Sequence, residues 1–279
     1  MIADEHGGGE SSDENIVGEI RAKANGIIAG TSVVDRLVVQ HFPECTVTWN
    51  VTEGEGVQSG EQVLNISGPA VQVLRCERIM LNILGRMSGI ATNTAAWVSQ
   101  AGNIGVACTR KTDWGLLDKW SVHVGGGLTH RLSRADALMI KENDLAALAP
   151  GIEEEDVAVA TAVSLIDMDS DAEFTVIEVR DSSQAVAAVK AWDSLQIERS
   201  GCEKIVLLLD NMGPSGCAEV HHILMQENLR AWCILEGSGG VVHEDLGQWI
   251  ESGVDLVSTS ALNRGVSPLD LSMKVVGGD

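Results

Sequence analysis

The chain has no tyrosine and two phenylalanines among its 279 residues, so a core must be filled by aliphatic side chains with help from seven tryptophans. Basic residues are also short: 19 Lys and Arg stand against 40 Asp and Glu, for a net charge of −21. That balance argues against nucleic acid or an anionic membrane as partner of the whole surface, because both need a basic face. No apolar run is long enough to span a bilayer. Met1–Asp13 is acidic and rich in Gly and Ser, without the basic start and apolar stretch of a signal peptide. The six cysteines form no CxxC pair and no zinc spacing. With neighbours such as Val106 and Ala107 before Cys108, they read as reduced, mostly buried thiols of a cytoplasmic protein. A GxxxxGK[ST] loop and a GxGxxG turn after a strand are both missing, which removes the P-loop and dinucleotide readings.

What is present has a clear order. Residues 1–15 read as flexible, and 16–42 as helix-like or mixed with breaks at Gly26 and Gly30. Over 46–67 the pattern is strand–turn–strand, with Thr46–Val51 alternating at period two. The run EGEGVQSGEQVL over 53–64 resembles the hairpin of biotinyl and lipoyl carrier domains. It lacks the carrier lysine and is taken as architecture. Leu74, Ile79, Leu81, Ile83 and Leu84 recur at helical spacing within 69–101. From Gly105 onward, β-rich runs at 104–109, 137–141, 175–179, 205–210, 232–236 and 256–258 alternate with helical stretches such as 182–192 and 213–227. Alternation of this kind predicts a parallel α/β sheet, and six strands suit a barrel, closed or open.

Polar residues recur where these apolar strands stop: Arg110-Lys111, Lys141, Glu178, Asp210-Asn211 and Glu236. The C-terminal edge of the strands is where an α/β barrel carries its active site. Nine of the 19 cations lie between residues 75 and 141, namely Arg75, Arg78, Arg86, Arg110, Lys111, Lys119, Arg131, Arg134 and Lys141. An acidic chain that gathers its cations in this way is building either an anion site or a solvated helix face. Arg110 and Lys111 suit a carboxylate and a phosphate, one by a fork and the other as a point charge. Gly125-Gly126-Gly127 before His130-Arg131 allows close backbone approach. Lys141 ends a strongly apolar run and needs an anionic partner. Glu178 and Asp210, facing one another across a barrel mouth, could hold a divalent cation through water, steady a sugar-ring cation, or pair with the lysines. Glu236-Gly237-Ser238-Gly239-Gly240 has the make-up of a backbone nest for phosphate, with Ser258–Ala261 beside it.

Six blocks carry a resemblance: CERIMLNILGRMSGIAT (76–92), TRKTDWGLLDKWSVHVGGGLTHRLSRADALMIKEN (109–143), IEV (177–179), LLLDNM (207–212), LEGSGG (235–240) and GVDLVSTSAL (253–262). In that order they resemble quinolinate phosphoribosyltransferase, from about Gly26 to the C-terminus. The resemblance implies an N-terminal α/β sandwich domain over 1–104, completed by 266–279, and an open α/β barrel over 105–265. It implies transfer of the phosphoribosyl group of 5-phosphoribosyl 1-diphosphate to quinolinate with decarboxylation. Mg²⁺ is the implied cofactor, and the implied assembly is a homodimer or an assembly of dimers. Arg78 is then the arginine lent across the dimer. Arg110, His130 and Arg131 bind quinolinate. Lys111 and Lys141 bridge the two substrates, and Glu178 and Asp210 lie near the ribose and Mg²⁺. Ser238, Gly239 and Gly240 take the 5′-phosphate, with Ser260 and Ala261 beside them.

The chain departs from the family pattern at Thr112-Asp113-Trp114-Gly115, where Thr-Thr-Pro-Gly is usual, and at Lys141-Glu142-Asn143-Asp144, where Lys-Asp-Asn-His is usual. Ser260 replaces a usual Gly, Val176 stands for the first Glu of Glu-Val-Glu, and the family's N-terminal Gly-Asp-Ile-Thr segment has no counterpart in 1–15. Two alternatives therefore stay open: an enzyme of the same fold acting on nicotinate or another aromatic acid, and an inactive homologue serving as a binding protein.

Overall fold

A computed structural model describes residues 14–133, 136–167 and 174–278. Arg134 and nearly all of the N-terminal segment read as flexible lie outside these residues. The elements run β1 (Asn15–Ala22), β2 (Gly26–Ile27), α1 (Thr31–His41), β3 (Thr46–Trp49), β4 (Gly56–Val57), β5 (Gln62–Pro69), α2 (Ala70–Ala101), β6 (Gly105–Cys108), α3 (Leu116–Val124), β7 (Ala137–Ile140), α4 (Glu142–Leu148), α5 (Glu155–Ser164), β8 (Phe174–Val179), α6 (Ser182–Arg199), β9 (Ile205–Asp210), α7 (Gly213–Gln226), β10 (Cys233–Ser238), α8 (Leu246–Glu251), β11 (Leu256–Thr259) and β12 (Leu271–Gly278).

The described chain divides into two compact units. The first takes residues up to Ala95, then Trp120–Gly126 and the chain from Gly265; the second takes Ala96–Lys119 and Gly127–Arg264. In the first unit an antiparallel sheet has the order β12-β1-β5-β3. Its core joins Ile20, Val63, Leu64 and Ile66 of the sheet to Val34 and Val38 of α1 and to Val73, Met80 and Leu84 of α2. Sheet and helices thus form a two-layer α/β sandwich. Each fully buried Leu or Ile contributes about 2 kcal/mol by leaving water. The segment read as helix-like or mixed over 16–42 is mixed: the strands β1 and β2 precede the one helix there, α1. β1 buries Gly18, Ile20 and Ala22 on one face, a period-two pattern that its two ladders with β5 and β12 enforce.

In the second unit a six-stranded sheet has the order β6-β11-β10-β9-β8-β7. Every pairing within it is parallel. With β6 and β7 at opposite edges, the barrel is open. Val176 of β8, Val206 and Leu208 of β9 and Ala137 of β7 pack together on one sheet face, with Ile234 of β10 against them. Period two then carries that same face from Val176 to Glu178, from Leu208 to Asp210 and from Ile234 to Glu236 and Ser238. The apolar inner layer therefore turns polar in step at the C-terminal edge. No helix of the described residues is long and apolar enough to cross a membrane.

Candidate active site

At that edge lies a pocket of about 250 Å³, lined by Thr109, Arg110, Lys111, His130, Arg131, Met139, Lys141, Leu208, Asp210, Glu236, Ser238 and Ser258. All of these belong to the second unit. Five of them are cations or imidazole and two are carboxylates, so the lining is cationic within an acidic chain.

The anions are already paired. Glu178 sits one strand from Lys141 and its Oε2 accepts from Lys141 Nζ, while Arg180 Nη2 stands 4.0 Å from Glu178 Oε1. The strand order explains this pairing, because β7 and β8 are neighbours and Ile140 lies opposite Ile177. Glu178 and Asp210 do not face each other across the mouth, as the sequence reading had them. They stand on adjacent strands, β8 and β9, with Glu178 opposite Leu208 and Asp210 two residues further on. Asp210 Oδ2 accepts from Asn211 Nδ2 at 2.9 Å.

The sequence marks Glu236 as a polar strand end and as the start of the Gly/Ser segment suited to phosphate, without a partner of its own. Its side chain is 2% exposed and its Oε2 lies 2.9 Å from His130 Nε2. A buried carboxylate needs such a partner. The contact fixes the direction of the imidazole, and no sequence pattern pairs two residues so far apart along the chain. His130 also holds an unusual backbone, with φ of +55°, as does Asn211 at +55°. Left-handed backbone at non-glycine residues is costly and clusters at functional sites. The other described examples, Ser200 and Asn228, fall at or just after helix ends.

Just past β10, Gly239 has φ of +87°, and a Cβ there would lie 2.1 Å from Asn211 Oδ1. Glycine is required at this position both for the turn and for the close approach. Ser238 lines the pocket, as does Ser258, which the sequence reading placed in the phosphate segment without a role of its own. Among the described residues Gly239, Gly240, Ser260 and Ala261 are not part of that lining; they form the turns that follow β10 and β11. Arg78 lies exposed on α2 in the first unit.

Of the cysteines, Cys45, Cys76, Cys108, Cys217 and Cys233 are buried and Cys202 is exposed, and none forms a disulfide. Burial pushes the thiols of Cys76 and Cys233 to about 11 and that of Cys217 to about 12.

Comparison with known proteins also finds two family domains, with bounds that differ from those of the two units. Residues 10–88 match the family model described as quinolinate phosphoribosyl transferase, N-terminal domain, and residues 90–274 match its C-terminal domain. A relative from Methanothermobacter thermautotrophicus, called a probable nicotinate-nucleotide pyrophosphorylase (carboxylating), is 32% identical over 268 residues, covering 94% of this chain and 89% of that one. One of the same name from Archaeoglobus fulgidus is 32% identical over 264 residues, covering 92% and 93%. The crystal structure of NadC from Streptococcus pyogenes superposes with a TM-score of 0.76 at 30% identity, covering 100% of this chain and 88% of that one.

Proposed function

The chain belongs to the quinolinate phosphoribosyltransferase family, and we propose that the cationic pocket at the C-terminal edge of its parallel sheet is where its reaction takes place. It is a pentosyltransferase of NAD biosynthesis. The reaction joins quinolinate to 5-phosphoribosyl 1-diphosphate and yields nicotinate mononucleotide, CO₂ and pyrophosphate. The observation that carries the site is the surplus of cations over carboxylates in one pocket, as two anionic substrates require.

In this reading Arg110, His130 and Arg131 hold the two carboxylates of quinolinate, the arginines by forked hydrogen bonds. Glu236 keeps His130 turned toward them. Lys111 and Lys141 lie between acid and donor and stabilise the charge that grows on the departing diphosphate. Glu178 and Asp210 face the ribose as it gains oxocarbenium character. The pyridine nitrogen attacks the anomeric carbon as pyrophosphate leaves. The quaternised ring then tolerates a carbanion at the neighbouring carbon, the 2-carboxylate departs as CO₂, and that carbon takes up a proton from water. Backbone N–H groups of the Ser238-Gly239-Gly240 turn suit the 5′-phosphate, with Ser260 and Ala261 in the next turn.

Among the described residues no three His, Cys, Asp or Glu converge on one point. Two carboxylates on adjacent strands fit Mg²⁺ instead, which keeps its waters and leans on substrate phosphates. Glu178 and Asp210 would hold it through water, and it would neutralise the leaving diphosphate. The exposed position of Arg78, beside the exposed apolar Leu74 and Ile79 on α2, supports a homodimer in which Arg78 serves the partner's acid. Buried thiols free of disulfides support a reducing, cytoplasmic setting. The working domain boundaries are 1–104 with 266–279, and 105–265.

The test offers quinolinate and nicotinate separately to purified protein with Mg²⁺ and 5-phosphoribosyl 1-diphosphate, with and without EDTA. Nicotinate mononucleotide and CO₂ from quinolinate, lost with EDTA, are expected. Turnover of nicotinate alone would change the substrate and keep the fold's chemistry. No turnover and no donor binding would make the chain an inactive homologue.

A further inference from the structure

Three buried polar side chains next to the pocket have no part in the mechanism above. Lys119 of α3 is 4% exposed, Asp118 beside it 1%, and Asn263 is fully buried. Lys119 Nζ donates to Cys108 O at 3.1 Å and also to Thr129 O. Cys108 ends β6 two residues before Arg110, and Thr129 immediately precedes His130. One ammonium therefore ties together the roots of the two segments that carry Arg110-Lys111 and His130-Arg131.

Its neighbour completes the grip. Asp118 Oδ2 accepts from the backbone N–H of Asp113 at 2.9 Å and of Trp114 at 3.3 Å, and from Asn263 Nδ2 at 3.3 Å. Asn263 Nδ2 also donates to Lys111 O at 3.0 Å. The segment from Cys108 to Trp114 is thus held at four points, by groups that lie behind it.

We propose that Lys119, Asp118 and Asn263 are positioning residues that fix the spacing of the two cationic loops and thereby set the affinity of the pocket for its anions. This rests on the reading of that pocket as the substrate site. An ammonium is an expensive way to tie two carbonyls in a core. A neutral amide could satisfy acceptors at lower cost, but it lacks the reach and the three donors of lysine. Lysine also adds charge where charge is already concentrated. Burial lowers the affinity of Lys119 for its proton, contact with Cys108 opposes this, and Arg110 and Arg131 lower it further. A third cation near two arginines works against the free protein and favours the form with anions bound.

The test compares wild type with Lys119→Met and Asn263→Ala. Melting temperature is measured first, and all other measurements are made where each variant is fully folded. Equilibrium binding is read with phthalate, which has the two carboxylates but no ring nitrogen, and with inorganic diphosphate. Lys119→Met should weaken both by about tenfold or more, the scale of one hydrogen bond to a charged group. KM for quinolinate should rise in parallel while kcat moves by less than about threefold. Asn263→Ala, which keeps every charge, should weaken diphosphate binding through Lys111 and serves alone if Lys119→Met does not fold. A folded variant that binds both probes as wild type does, with loss only in melting temperature, overturns the inference. Wild type that binds both probes without turning over quinolinate overturns the proposed reaction instead, and the binding comparison still decides the positioning role.

Discussion

Lys141→Met separates a catalytic role for the β7 lysine from a structural one. The replacement keeps the apolar stem and removes the ammonium. The lost partner is Glu178, itself 9% exposed, but the Lys141 side chain is 46% exposed, so solvent screens the pair. Exposed and half-exposed ion pairs contribute about 0–1 kcal/mol. Arg180, 4.0 Å from Glu178, remains to balance the carboxylate. The backbone N–H of Lys141 still donates to Asp144 Oδ2 at 2.9 Å, so the start of α4 keeps its cap. A loss of at most about 1 kcal/mol lowers the melting temperature by roughly 2–4 °C in a chain of this size.

The effect on turnover is of another order. If the ammonium stabilises charge that develops only as diphosphate leaves, its removal costs on the order of 10²–10³ in kcat/KM, as removal of one preorganised donor does. Melting by differential scanning fluorimetry and initial rates of nicotinate mononucleotide formation give the two numbers from one preparation. A kcat/KM within threefold of wild type would refute the assignment. A fall of more than about 10 °C in melting temperature would refute the stability argument, since the lysine would then be holding the fold.

Three further outcomes follow from geometry already described. Gly239→Ala drives a Cβ to 2.1 Å from Asn211 Oδ1 and forces alanine to φ of +87°, so KM for the phosphoribosyl donor should rise about tenfold or more while that for quinolinate changes little; equal changes in both would point away from a phosphate turn. Glu53 is pushed up by burial, yet hydrogen bonds from Gly30 N, Thr31 Oγ1, Trp120 Nε1 and Thr31 N outweigh this and hold its pKa below the usual carboxylate value. Its stabilisation is present above the unfolded value of about 4.3 and lost as pH falls through the lower folded value, so Glu53→Gln should flatten the acid limb of a melting-temperature profile below about pH 4; an unchanged limb would contradict the assignment. A thiol reagent at neutral pH should modify one cysteine per native chain, Cys202, and six after unfolding, whereas rapid native reaction of several would show that the buried thiols are accessible.

Much of the second unit was legible because parallel strands buried on both faces are continuous apolar runs, such as Ile205–Leu209, and each ends in a residue the interior does not tolerate. The first unit was harder. β1 reads NIVGEIRA, where adjacent Ile16 and Val17 blur the alternation and the partner on one side, β12, comes from the far end of the chain. A local pattern carries no information about so distant a partner, which is why 16–42 reads only as helix-like or mixed and β1 is not set apart from α1 there. The same limit applied to the pairs at the strand edge. The residue types at Lys141, Glu178, His130 and Glu236 were visible in the sequence. Which carboxylate meets which cation depends on the strand order 7-8-9-10, and that order puts Glu178 beside Lys141 and leaves Glu236 for His130.

That partition bears on how an acidic chain builds an anion site. With a net charge of −21, long-range repulsion disfavours both substrates, but charges beyond about 8 Å are largely screened at physiological salt. What decides binding is the balance inside the pocket. There Glu236 is committed to His130, while Glu178, outside the lining, pairs with the pocket's Lys141, so neither is a bare anion turned toward an incoming carboxylate. Asp210 is shared with Asn211. Arg110 and Lys111 on the first of the two loops add positive charge to the same lining. The carboxylates therefore orient cations without cancelling them, and the acidic exterior can coexist with a cationic mouth only while that pairing holds.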